Sequence, residues 1–353
     1  MKKISLTLLA GILCLAASAQ EPVSEALPFM QMDFNPSSIA MGSTRIPSAA
    51  ILPLSGTKLA AGVAYESYMP ELSGTQYVSG GAAGTYGKFG ASIGFTRGTG
   101  DEITGERFTP SEILVNAGLS YAVTPMIAAG VNVKYAKEQL LSNYSNNAVA
   151  ADVFVAGKLD AFDFAAGVSS LGGQVESEST GKFNLPSAVT LGCGYLYDLN
   201  DEICLSARLR GDYYFSGNPA AGLGIEGWYK GMFAVRAGYH YGGESVIPNF
   251  ASAGLGARIG EFTFDAAYIF ASEALMNSFG ICAGVRFEPI RIFPTLGMRR
   301  MRTAARATVT YEQTAVRSIS TGVTQRALPP VPSQPRKSAE YAASTSMCAR
   351  YIP

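Results

Sequence analysis

Between Lys58 and Phe287 the chain changes character at every second residue. In Phe262, Phe264, Ala266, Tyr268 and Phe270 each alternate side chain is apolar, while Thr263, Asp265, Ala267 and Ile269 stand between them. Phe279, Ile281, Ala283, Val285 and Phe287 interleave in the same way with Ser278, Gly280, Cys282, Gly284 and Arg286. Successive side chains of an extended strand point to opposite faces, so this period predicts sheet with one strongly apolar face. In a soluble sandwich the other face meets water and is rich in Lys, Glu and Thr. Here that face is mostly Gly, Ala and Ser with an occasional charge, which suits a crowded, enclosed interior. Tyr65, Tyr68, Tyr135, Tyr195, Tyr197, Tyr213 and Tyr229 fall at segment ends, where a membrane interface favours amphipathic rings.

Fourteen such segments are expected, near 59–67, 76–86, 88–97, 112–122, 126–137, 147–158, 161–169, 187–197, 202–213, 219–229, 231–241, 249–259, 261–270 and 277–287. Their connections alternate between long (98–111, 138–146, 170–186, 242–248) and tight, at Gly87, Thr124, Leu159-Asp160, Lys230 and Gly260. This is the asymmetry of an outer-membrane barrel, with short periplasmic turns and longer outer loops. The expected fold is therefore all-β, a transmembrane antiparallel β-barrel of about fourteen strands over 58–287. Composition agrees: charged residues make up 15%, against about 25% in soluble domains. After the first residues no apolar run is long enough for a helical span.

Lys2, Lys3, the apolar run Ile4–Leu15 and Ala17-Ser18-Ala19 predict a signal peptide over 1–19, cleaved on export to the cell outer membrane. Leu13 before Cys14 makes lipidation unfavourable, and four remaining cysteines are too few for a disulfide framework. Residues 20–57, with Asn35-Pro36, Pro47 and Pro53, form a segment that plugs the lumen or reaches into the periplasm. Residues 288–353 carry ten Lys or Arg against three Glu and include Pro329-Pro330-Val331-Pro332, the composition of a disordered basic tail. That tail lacks the aromatic interleaving and fold that nucleic-acid binding needs, so no nucleic-acid partner is expected.

Parity places Glu66, Lys134, Asp152, Asp163, Arg208, Arg210, Asp212, Glu226, Arg236, Arg258, Asp265 and Arg286 on the lumenal face. Arg or Lys facing lipid near the midplane costs about 2–4 kcal/mol, whereas inside the barrel opposite charges pair. The mixed signs fit a salt-bridge lattice better than a polar path. Gly222-Leu-Gly224-Ile-Glu-Gly227 matches the dinucleotide-binding pattern, but a strand-like run continues it where a helix is required. Small residues facing a tight lumen account for it. His240 is the only histidine, so a triad or His-based metal site would have to be built around it; a polar residue near the outer rim is the simpler reading. Cys193 and Cys204 have opposite parity, so free thiols are expected. No enzymatic activity, cofactor or metal is expected.

Leu27-Pro28-Phe29-Met30 followed by Asn35-Pro36-Ser37-Ser38-Ile39-Ala40-Met41-Gly42 resembles the N-terminal signature of the PorV/PorQ group of Bacteroidetes outer-membrane proteins. The closing Gly284-Val285-Arg286-Phe287 resembles the terminal strand of such a barrel. The likeness spans 27–287, and departs from the group at Ile51-Leu52-Pro53-Leu54-Ser55-Gly56 and in the residues that follow Phe287. It implies a FadL-like fourteen-stranded barrel in outer-membrane lipid. It also implies a secretion-associated interaction component that binds secreted cargo or type IX-like secretion-complex subunits, or alternatively a FadL-like transporter of a small hydrophobic ligand.

Overall fold

The computed structural model describes residues 25–46, 49–68, 74–102, 108–142, 144–177, 181–243, 247–272 and 275–287. The expected signal peptide, Cys14, Cys348 and the 288–353 tail lie outside the described residues.

The alternating segments form strands β1 (Leu59–Tyr68), β2 (Thr75–Tyr86), β3 (Phe89–Thr99), β4 (Ser111–Ala122), β5 (Ile127–Leu141), β6 (Tyr144–Leu159) and β7 (Phe162–Gly172). A short hairpin, β8 (Val175–Ser177) and β9 (Gly181–Phe183), stands inside the next connection. The series continues with β10 (Ala188–Asp198), β11 (Ile203–Tyr214), β12 (Pro219–Tyr229), β13 (Phe233–Tyr241), β14 (Phe250–Ile259), β15 (Phe262–Ala271) and β16 (Phe279–Phe287). All but the hairpin pair antiparallel with their sequence neighbours, β7 pairs with β10, and β1 pairs with β16. The sheet thus closes into a fourteen-stranded barrel with no free edge. Closure satisfies the backbone within the sheet, as hydrocarbon requires.

The tight turns take the left-handed backbone at Gly87, Asp160, Lys230 and Gly260, which matches the twist of a two-residue hairpin. They share one end with the start of β1 and the end of β16, and the longer connections lie at the other. The expected long loop at 138–146 is largely strand: β5 and β6 run on past the predicted ends until Leu141 pairs with Tyr144. Polar residues there continue the ladder, with Glu138 opposite Asn146 and Gln139 opposite Ser145. A strand need not stop where its alternation fades, provided both partners keep pairing.

The two faces of the wall differ sharply. Leu119 is 71% exposed, Ile93 65% and Leu255 64%, all on the outer face. A band of large apolar side chains turned outward is stable against acyl chains and would be a liability in water. The buried side chains face the lumen, and much of what they meet is the N-terminal segment.

Candidate functional site

Residues 25–46 and 49–55 line or fill the lumen. The segment enters near the long-loop end, where the Ala26 N–H donates to the Asn184 carbonyl at 3.0 Å. Pro28–Gln31 make one 3-10 turn with Phe29 and Met30 buried. Leu27, Phe29 and Met30 pack with Leu114, Ala136 and Ala150 of the wall and with Val175 and Leu185 of the β7–β10 connection. On the other side Met32 and Phe34 pack against Tyr68, Tyr77, Phe250 and Ile269. Phe34 and Tyr77 lie with ring centroids 4.9 Å apart, and Tyr68 meets Tyr77 edge-on at 5.7 Å. The long-loop half of the lumen is therefore packed with apolar and aromatic side chains, among which the acidic side chains Asp33, Glu66, Glu112 and Glu138 also stand.

Farther along, Asn35 caps a helical turn, Pro36–Ile39, by accepting from the Ser38 N–H at 3.2 Å. The proline preorganises that turn, which brings the Ile39 carbonyl within 2.6 Å of the Ser252 hydroxyl donor. From there the segment circles the inside of the wall: Ala40 lies on Gly254, Met41 and Gly42 on Gly222, Gly224 and Gly238, Ile46 on Gly192, Ala50 on Gly130, and Leu52 with Pro53 on Gly90. A Cβ on Gly130 would stand 2.8 Å from the Ala50 nitrogen, and on Gly224 it would overlap Met41 backbone. Gly42 itself has φ 71, and a Cβ there would stand 2.7 Å from the Tyr239 carbonyl carbon. Gly130, Gly222, Gly224 and Gly238 are thus the imprint of a second layer of backbone, whereas Gly90, Gly192 and Gly254 seat plug side chains. Gly222 and Gly224, the would-be nucleotide glycines, seat Met41 and Gly42.

The candidate charges all project on the lumenal side of the register. Several come together. Arg236 is 2.6 Å from both Glu226 and Asp265 and lies over the Trp228 ring. Lys134 is 2.9 Å from Asp152, which also accepts from Asn132 and from the Ser170 N–H. Arg210 pairs with Asp212 at 2.8 Å and donates to the Arg45 carbonyl of the plug. Arg208 and Asp163 are more loosely matched at 3.7 Å. Arg258 and Arg286 stand in β14 and β16 toward the short-turn end. Glu66 is not brought to a cation: it is fully buried against Pro36 and Gly280, and both carboxyl oxygens have no hydrogen-bond partner among the described residues.

Sequence reasoning missed Asp33, Tyr77, Glu112 and Glu138. Tyr77 donates to Glu112 at 2.6 Å, and even-numbered parity in β4 would have put Glu112 inside. Tyr68, expected at the membrane interface, instead points inward and donates to the Asp33 carbonyl at 2.8 Å, because it shares parity with Glu66. Burial pushes the Asp33 carboxyl above its ordinary range, with Arg45 and Arg210 pulling the other way. His240 is buried rather than rim-exposed, stacked on Phe250, with Nδ1 3.4 Å from the Gly42 carbonyl. Cys193 and Cys282 are free, but Cys204, expected as a free thiol, is disulfide-bonded.

Beside the plug, Ser37, Ser38, Thr44, Arg45, Arg208 and Arg236 help to line a void of about 20 Å³, room for a single water. The arrangement offers no grouped metal ligands among the described residues. It offers a lumen with one half packed with apolar and aromatic side chains and one half closed by backbone.

No protein-family model matches the chain, and no curated protein matches it. Solved structures do. The P. putida toluene transporter TodX superposes with a TM-score of 0.51 at 12% identity, covering 71% of this chain and 98% of that one. The CymD monoaromatic hydrocarbon channel gives 0.52 at 11% identity, covering 75% and 100%. A Pseudomonas aeruginosa FadL homologue is less similar, at 0.39 and 13%, covering 73% and 95%. The chain is a closed fourteen-stranded antiparallel β-barrel, a fold it shares with the TodX and CymD structures.

Proposed function

We propose that this barrel is a non-enzymatic outer-membrane channel that admits small hydrophobic compounds. The observation that carries the reading is the apolar and aromatic clusters that the plug makes with the wall in the long-loop half of the lumen. A water-filled porin lumen is polar, whereas here Leu27, Phe29, Met30 and Phe34 sit among Leu114, Val175, Leu185, Tyr68 and Tyr77. A small apolar or aromatic molecule makes the same kind of contact as those plug side chains. Two barrels that share this fold are named as a toluene transporter and a monoaromatic hydrocarbon channel, which supports the same class of ligand. The secretion-associated role implied by the Asn35–Gly42 resemblance, with its PorV/PorQ assignment and its cargo or translocon partners, draws no comparable support from the lumen.

The test is uptake of labelled toluene by cells lacking their own hydrophobic-compound channels. Expression of the full chain is expected to raise the initial rate, and Leu27→Asp with Phe29→Asp to return it to background. If uptake is unchanged by the chain while affinity capture from membranes recovers secreted proteins, the secretion-associated reading replaces this one.

A further inference from the structure

The outer face of the barrel is almost free of charge. Among the described residues of the fourteen barrel strands, the lipid-facing positions carry two charged side chains, Arg97 on β3 and Lys137 on β5. They occupy one row of the sheet. Arg97 is paired with Ile113 of β4, and Ile113 with Lys137. Two strand spacings separate them, about 10 Å.

The row marks a boundary. Below it, toward the tight turns, the outward positions are Phe95, Val115 and Tyr135; above it they are Thr99, Ser111 and Gln139. From Phe89 at the short-turn end, Arg97 is eight residues along β3. At about 3.4 Å per residue and a tilt near 40°, that is roughly 20 Å along the membrane normal, close to the height of an outer-membrane apolar band. Both cations therefore sit where hydrocarbon gives way to headgroups, on the leaflet next to the long loops. Their stems lie along apolar wall, and long Lys and Arg side chains in that position extend their charges toward the polar layer.

Neither cation is in an ion pair with a described residue. The nearest acidic residues on the same connection, Asp101 and Glu102, lie beyond the end of β3. Elsewhere the same boundary is aromatic and uncharged, as at Tyr239, Tyr241, Tyr268 and Phe279. An isolated pair of cations confined to one sector calls for an anionic counterpart supplied by the membrane. Phosphate is the headgroup anion, and the apolar rows directly beneath provide a track for the attached acyl chains.

We infer that Arg97 and Lys137 form a binding site on the outer wall for a net-anionic, phosphomonoester-bearing lipid headgroup of the outer leaflet. The site stands independently of what passes through the lumen. A bound lipid would fix the β3–β5 sector against the membrane, and annular lipids elsewhere on the wall would exchange freely.

The experiment is native mass spectrometry of the full chain in detergent, titrated with diphosphoryl lipid A and, separately, with phosphatidylcholine. The folded chain is expected to retain one lipid A molecule in preference to phosphatidylcholine. At about 1 kcal/mol per cation near an anionic headgroup, Arg97→Gln or Lys137→Gln each weakens retention roughly fivefold and the double variant roughly 25-fold. Lys182→Gln, which removes an exposed cation from the β8–β9 hairpin, is expected to leave it unchanged. The charge-keeping pair Arg97→Lys with Lys137→Arg is expected to bind as the parent does, which separates loss of charge from loss of fold. Equal lipid A retention by the parent and the double glutamine variant overturns the inference. So does an equal loss in Lys182→Gln, or equal retention of phosphatidylcholine.

Discussion

The plug has two stretches held by opposite means. Residues 26–34 are held by side chains: Leu27, Phe29, Met30 and Phe34 fill an apolar chamber at the long-loop end. Residues 39–46 and Ala50 are held largely by backbone, laid directly on glycines of β12, β13 and β5. Hydrophobic contact is non-directional, so another apolar molecule can take the place of the first stretch at modest cost. Backbone seated on backbone has no such substitute. The contrast separates an exchangeable part of the lumen from a fixed ring, and it makes the two stretches separately testable.

The largest effect is expected from filling the ring's seat. Gly224→Val puts a side chain where Met41 backbone lies, and residues 39–50 can then no longer dock. Limited proteolysis of outer membranes should cut the variant within that stretch, while Gly211→Val, whose Cβ meets nothing within 4 Å, should leave it protected. Arg236→Met comes next. It leaves Glu226 and Asp265 facing each other without their shared cation, which in a buried triad costs about 3–5 kcal/mol. The band shift between boiled and unboiled samples should then appear at a lower temperature.

A smaller, local effect is expected in the first stretch. Leu27→Ala opens a cavity worth about 2–5 kcal/mol. Hydrogen exchange should speed up over residues 26–34 and stay unchanged over 39–44. Equal acceleration in both would mean that the two stretches are one unit. The smallest effect concerns Asp33, between them. Its carboxyl is raised above the ordinary 3.8 by burial, so the seated form binds its proton more tightly than the released form. That contribution to seating is present at acid pH and is lost as pH rises from 3.8 through the higher seated value. Protection of residues 30–34, corrected for intrinsic exchange, should decline over that range in the parent and be flat in Asp33→Asn.

The wall was legible in the sequence and the plug was largely not. Alternation in β13, β15 and β16 fixed which side chains face lipid, because a strand's period follows from backbone geometry alone. It also put Arg236, Glu226 and Asp265 on one face, though not at 2.6 Å, since strand registers across β12–β15 depend on turns and closure. The lumenal glycines were visible but read only as small. What they accommodate is a segment with no period of its own, whose path depends on contacts with strands as far as 213 residues away, such as Ile39 with Ser252. Asn35-Pro36 announced a local turn; nothing local announced the circle that follows it. Arg97 and Lys137 share the parity of the lipid face, but only the register across β3, β4 and β5 sets them in one row.

The central claim is that a small hydrophobic compound exchanges with the first plug stretch and leaves the second in place. Thiol labelling of folded protein carrying Met30→Cys or Thr44→Cys, with and without toluene, tests it most directly, since both positions are buried. Labelling at residue 30 is expected to rise with toluene while residue 44 stays protected. Labelling that rises at both positions together, or at neither, would contradict the account.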